Sequence, residues 1–162
     1  MARGEGMCFM NIGKYLERAI QSADILDVKF SDLTNDLGVD NDTTYWKYLL
    51  LSISGYELYL KNYRSGFEAK NIVDQIVFDT NFPRSVLYSV NELKHYFSRL
   101  KNDRNIESFD KINFMIGRLC SKVQFSNVQM VSEVGLHTYL EELKKDLNEV
   151  GKVLTQLYFA YS

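Results

Sequence analysis

The stretch from Phe9 to Phe30, FMNIGKYLERAIQSADILDVKF, limits what this chain can fold into more than any other. Phe9, Ile12, Leu16, Ile20, Ala23, Leu26 and Phe30 recur at steps of three and four, which lays one apolar stripe along one face of an α-helix. A stripe of that length has to be covered by other helices, so the expectation is an all-α bundle. Glu17 and Arg18 stand mid-helix beside the stripe, and Asp24 lies two turns beyond Glu17 on the same side. Adjacent helical residues point about 100° apart, so Glu17 and Arg18 are expected to meet separate partners across the bundle. Arg84 or Lys94 would suit Glu17, and Glu92, Glu133 or Asp110 would suit Arg18.

The remaining chain continues the helical pattern. The first helix is expected from about Glu5 to Leu33, followed by the turn TNDLGVDND. Asp42 or Thr43 then caps a second helix, TTYWKYLLLSISGYELYLKNY, with Trp46, Leu49, Leu50, Ile53, Tyr56, Leu60 and Tyr63 as its apolar positions. Gly55 inside it costs about 1 kcal/mol relative to alanine and reads as a close-packing position. A shorter helix from Glu68 to Val77 carries Ile72, Val73, Ile76 and Val77. Pro83 fits the first turn of the next helix, PRSVLYSVNELKHYFSRLKN, with Asn81 or Phe82 near the cap. After a polar link from Asn102, Ser108 or Asp110 could cap a fifth helix, FDKINFMIGRLCSKVQF. The last helix is expected from Met130 to Tyr161, with Val134, Leu140, Leu143, Leu147, Val150, Leu154 and Leu157 inward. The pattern predicts a bundle of about six helices, long at both ends of the chain, forming one domain over residues 1–162.

Composition narrows the function classes. At this length roughly 68–70% of the unfolded surface can be buried without staples. A formal charge of −2 offers no basic field for phosphate backbones, so no nucleic-acid partner is expected. Cys8 and Cys120 stand far apart, outside any zinc or disulfide spacing. Neither an export signal nor an apolar run long enough for a membrane span is present, and a cytoplasmic location with no membrane partner is expected. No phosphate-binding loop, dinucleotide fingerprint or nucleophile elbow occurs, so no cofactor is expected.

Four groups of residues can carry chemistry or recognition. Glu17, Arg18, Asp24 and Asp27 either form a charge network that sets helix register or, with Arg84, line an internal polar pocket in which arginine holds an anion and a carboxylate acts as base. Glu92-x-x-His95 has the spacing of carboxylate-bridged metal bundles, but Glu133 and His137 do not repeat it and no metal is expected. Cys120 lies at helical spacing from Ile116 and Val123, which makes it a core thiol before it is a nucleophile served by His95 or His137. Tyr45, Trp46, Tyr48, Tyr56, Tyr59 and Tyr63 cover too wide an arc for one internal face, so some of them should meet solvent or a partner protein.

Gly13-Lys14-Tyr15-Leu16-Glu17-Arg18-Ala19, with Asp24-Ile25-Leu26-Asp27-Val28 after it, resembles the alpha-E domain family of bacteria, an α-helical domain with a Glu-Arg motif. Arg3-Gly4-Glu5-Gly6 leading to Phe9 is similar to the approach to the second of two such motifs in longer members, so the chain resembles their C-terminal half. Asn81-Phe82-Pro83-Arg84-Ser85-Val86 is similar to the family's proline-containing turn. The resemblance implies an all-α protein without assigned catalytic residues, in which Glu17 and Arg18 are the signature pair. It also implies partners among ATP-grasp and transglutaminase-like proteins, in peptide ligation, modification or turnover. A half-length chain would leave a surface open to self-association. The leading expectation is a non-catalytic adaptor or accessory subunit; the alternative is an enzyme or small-molecule-binding bundle built on the Glu17 and Arg18 pocket.

Overall fold

The structure, a computed structural model, describes residues 3–31, 43–100 and 106–158. The opening segment is a continuous helix, α1 (Arg3–Ser31), of 29 residues. Its buried line runs through Cys8, Ile12, Tyr15, Ala19, Ser22, Ala23, Leu26 and Phe30, whereas Phe9, Leu16 and Ile20 are only half-buried. The stripe is thus rotated from the one the apolar spacing predicts. The cause is that α1 is covered from two sides, so its most buried positions lie between two contact faces.

The expected single helix over residues 43–63 is broken into α2 (Thr43–Ser52) and α3 (Tyr56–Asn62). Ser54 takes a left-handed φ of 57°, the Gly55 N–H donates to the Leu50 carbonyl at 2.8 Å, and the Ser54 N–H donates to the Leu51 carbonyl at 3.1 Å. These crossed bonds satisfy the last carbonyls of α2 and turn the chain. Gly55 is required at this corner for space, since a Cβ there would stand 2.9 Å from both Gln75 Nε2 and Phe82 Cζ. The Gln75 side chain in turn donates to the Gly55 carbonyl at 2.8 Å.

Helix α4 (Ala69–Val73) widens into a single π turn (Asp74–Phe78), close to the helix expected at residues 68–77. Helix α5 (Val86–Ser98) starts later than expected, because Ser85 caps it by accepting the Tyr88 N–H at 3.0 Å. Pro83 therefore sits in the turn before the helix, and neither Asn81 nor Phe82 is the cap. Helix α6 (Ile106–Gln124) is longer than expected and takes in Ser108 and Asp110. The expected last helix is two: Gly135, at a φ of 101°, separates α7 (Val128–Val134) from α8 (Leu136–Tyr158). Val134, expected inward, is consequently exposed. The turn after residue 31, the Asp42 cap, residues 102–105 of the polar link and positions 159–161 lie outside the described residues.

Four long helices close a ring in which α1 packs on α5 and α8, while α6 packs on the other side of both. Tyr15 meets Tyr88 and Tyr96 while Ser22 meets Arg84, so α1 and α5 are antiparallel. Leu16 meets Gly151 while Asp27 meets Lys144 and His137, so α1 and α8 are antiparallel as well. Cys120 at Val90 and Phe109 stacked on Phe97 set the same sense for α5 and α6. Helix α2 caps one end, with Trp46 packed 5.1 Å from Phe30 between ring centroids. The all-α bundle is therefore present, with eight α-helices among the described residues rather than about six.

Two substitutions at the α2–α3 corner should act in opposite directions. Gly55→Ala forces apart Gln75 and Phe82 and is expected to cost about 1–3 kcal/mol. Ser54→Gly relieves the left-handed strain and is expected to add roughly 1 kcal/mol. Urea unfolding midpoints of the two variants against the parent test both signs.

Candidate functional site

The polar residues of α1 divide between two faces. Arg18 is half-buried on the α5 side, with its guanidinium 5.6 Å from the centroid of the Tyr15 ring. Lys14 lies over the same ring at 5.0 Å. Tyr15 packs against Tyr96, nearly parallel at 6.0 Å, and against Tyr88 at 6.2 Å. Burial pushes the Tyr15 hydroxyl above its ordinary pKa, the negative charge of Glu92 and the neighbouring tyrosines push the same way, and Arg18 opposes them. The phenol is therefore a neutral hydrogen-bonding group at physiological pH. One turn past Arg18, the Ser22 hydroxyl donates to the Arg84 carbonyl at 2.6 Å and is itself 4% exposed. That bond fixes the proline-containing turn onto the helix that carries the Glu-Arg pair.

On the α8 side, Lys144 lies 3.0 Å from Asp24 and 3.1 Å from Asp27, and His137 Nδ1 lies 2.8 Å from Asp27. Partial burial works against the Lys144 charge, but hydrogen bonds to the two aspartates outweigh it and its pKa rises. The hydrogen bond to Asp27, followed by the charge of that carboxylate, raises the His137 pKa.

Glu17 does not face the interior. It is exposed and accepts from Gln21 on its own helix at 3.3 Å, and among the described residues no ion pair includes Glu17 or Arg18. The expected cross-bundle partners at Arg84, Lys94, Glu92, Glu133 and Asp110 are thus replaced by a ring face for Arg18 and a neighbouring amide for Glu17. Asp24 is also exposed, and six residues from Arg18 place it about 120° around the helix. Glu17, Arg18, Asp24, Asp27 and Arg84 are therefore spread over two faces and do not converge on one internal pocket.

The other candidates also separate. Among the described residues no group of three or more histidine, cysteine, aspartate or glutamate side chains is placed to hold a metal ion, so Glu92, His95, Glu133 and His137 do not assemble. His95 is exposed and stands edge-on to Tyr96. Cys8 and Cys120 are both buried; the Cys120 thiol donates to the Val90 carbonyl, and burial raises its pKa to about 11. Of the aromatic load, Trp46 and Tyr59 are core residues, Tyr45, Tyr56 and Tyr63 are half-buried, and Tyr48 is exposed. Tyr15, Ser22 and Lys144 were not picked out by spacing. The signal for Ser22 was its place seven residues from Tyr15, a polar side chain at a buried helical interval. Lys144 could be found only by knowing that α8 packs beside Asp24 and Asp27.

An antiparallel helical bundle whose longest helix carries a single Glu-Arg dipeptide on its surface defines the class. The chain belongs to the Alpha-E family, described as a predicted alpha-helical domain with a conserved ER motif, whose model matches residues 1–159. No curated protein and no solved structure matches the chain. Among the described residues no helix is long and apolar enough to cross a membrane.

Three outcomes follow from this geometry. Arg18→Ala is expected to cost about 1 kcal/mol or less in urea unfolding, as befits a half-buried cation–ring contact and not a broken buried ion pair. The His137–Asp27 contact has a folded pKa above the free histidine value, so its stabilisation is complete below about pH 6.5 and fades as pH rises through the raised value. The unfolding midpoint difference between the parent and His137→Gln should accordingly be largest in mild acid and shrink toward alkaline pH. Iodoacetamide at neutral pH should leave Cys8 and Cys120 unmodified in the folded protein and alkylate both in denaturant, as read by intact mass.

Proposed function

We propose that this Alpha-E domain is a non-catalytic adaptor or accessory subunit that docks onto a partner protein through the face shared by α1 and α5. The observation that supports this reading is the cluster of Tyr15, Tyr88 and Tyr96 with Lys14 and Arg18 against it. Tyrosine and arginine offer large, stiff contact area with polar tips, which is why they concentrate at the centres of protein interfaces. Two of the three rings are half-buried, leaving part of each free to be covered by a partner. The resemblance of the Glu-Arg helix and the proline-containing turn supplies the class of partner: an ATP-grasp or transglutaminase-like protein acting in peptide ligation, modification or turnover. In this reading Glu17 and Arg18 are surface recognition residues and the bundle is their rigid support.

Pull-down of each partner class by the tagged chain at micromolar concentration tests the reading. Retention should fall at least about tenfold with Tyr96→Ala or Arg18→Glu and stay unchanged with Tyr48→Ala, as expected for central against peripheral interface residues. No retention of either class, or retention indifferent to Tyr96 and Arg18, overturns it.

A further inference from the structure

Away from the α1–α5 face, α4 and its π turn stand opposite α7 across an open cleft of about 410 Å³. Its walls are Lys70, Asn71 and Asp74 on one side and Val128, Gln129 and Ser132 on the other. That volume lies within the range of small-molecule sites, and five of the six lining residues carry a polar or charged group.

The charges on the first wall are arranged in an unusual way. Lys70 and Asp74 are four residues apart, where a lysine and an aspartate on one helix face can pair. They do not pair, and neither takes part in any ion pair among the described residues. The Asp74 carboxylate is instead held through Oδ2 by the Tyr63 hydroxyl at 2.5 Å, with Tyr63 packed 4.8 Å from Tyr59. Burial, reinforced by that carboxylate, raises the Tyr63 pKa, so the phenol stays a donor and the carboxylate keeps its position. Asp74 thus offers an anion fixed in place at the cleft, and Lys70 an exposed cation one turn away. A simple anion would meet repulsion from Asp74, and a simple cation repulsion from Lys70. A molecule bearing both charges satisfies both, with Asn71, Gln129 and Ser132 available to hydrogen-bond its polar atoms.

We propose that the cleft between α4 and α7 binds a small zwitterion of the size of an amino acid or dipeptide, its ammonium on Asp74 and its carboxylate on Lys70. The proposal is independent of the docking face, since the two share no residue. Saturation-transfer NMR on the whole chain, with the common amino acids and diglycine at millimolar concentration, is the test. N-acetylalanine, lacking the ammonium, and alaninamide, lacking the carboxylate, are the controls. At least one zwitterion should bind, and each control should bind at least about tenfold more weakly, the loss expected for one charge-assisted hydrogen bond. Lys70→Gln, an exposed substitution that leaves the core intact, should weaken the zwitterion by a similar factor and leave alaninamide unchanged. Asp74→Asn should weaken both. No zwitterion binding to the folded parent, or binding indifferent to Lys70→Gln, overturns the proposal.

Discussion

Burial of α1 between α5 and α8 is the constraint on which the rest of the molecule depends. Ala19 and Ala23 have no exposed surface and Leu26 has none either, so the helix is enclosed at its middle and not just along one edge. Small side chains at Ala19 and Ala23 let two neighbours approach at once, and the larger Ile12 and Phe30 are buried toward the two ends of the helix. Each fully buried aliphatic or aromatic side chain contributes about 1.5–3 kcal/mol. An exposed cation over a ring contributes about 0.5–1. The apolar line therefore decides the architecture, and the charged residues beside it are left available for other work.

Polar contacts refine that arrangement at two points. Ser22 reaches across to the Arg84 carbonyl, tying the entry of α5 to the middle of α1, while Ser85 both caps α5 and donates to the Asp79 carbonyl at 2.5 Å. The segment between the π turn and α5 is thereby held by hydroxyl groups from both sides. Lys144 does the corresponding work for α8, since one ammonium spans Asp24 and Asp27 one turn apart. Neither contact could create the bundle, but each selects one alignment among those that apolar packing alone would tolerate.

The periodicities of α1, α5, α6 and α8 were legible because each helix is long enough for a three-and-four pattern to dominate its propensities. Corners were less so. The pattern 46, 49, 50, 53, 56, 60 and 63 runs straight through Ser54 and Gly55 because apolar residues on both sides of the corner pack on the core, although Leu60 itself is exposed. Gly135 likewise interrupts a pattern that resumes on the next helix. The candidate site was readable as residues but not as an arrangement. Glu17 and Arg18 stand out in the linear order, yet whether they turn inward depends on which sides of α1 are covered. Tyr15, at the centre of the α5-facing cluster, lies outside the apolar stripe that the spacing predicts and carries no mark of its role in the linear order. Its role comes from Tyr88 and Tyr96, which arrive from a helix about seventy residues later.

Gly151 and Leu16 make a notch and a tooth: a Cβ at 151 would stand 3.0 Å from Leu16 Cδ2. Sliding α8 along α1 by one turn, about 5.4 Å, would set Leu16 against Leu147 or Thr155, neither of which leaves the vacancy that glycine provides. Screw-like travel between these two helices is therefore resisted at this notch until the Leu16 side chain turns aside.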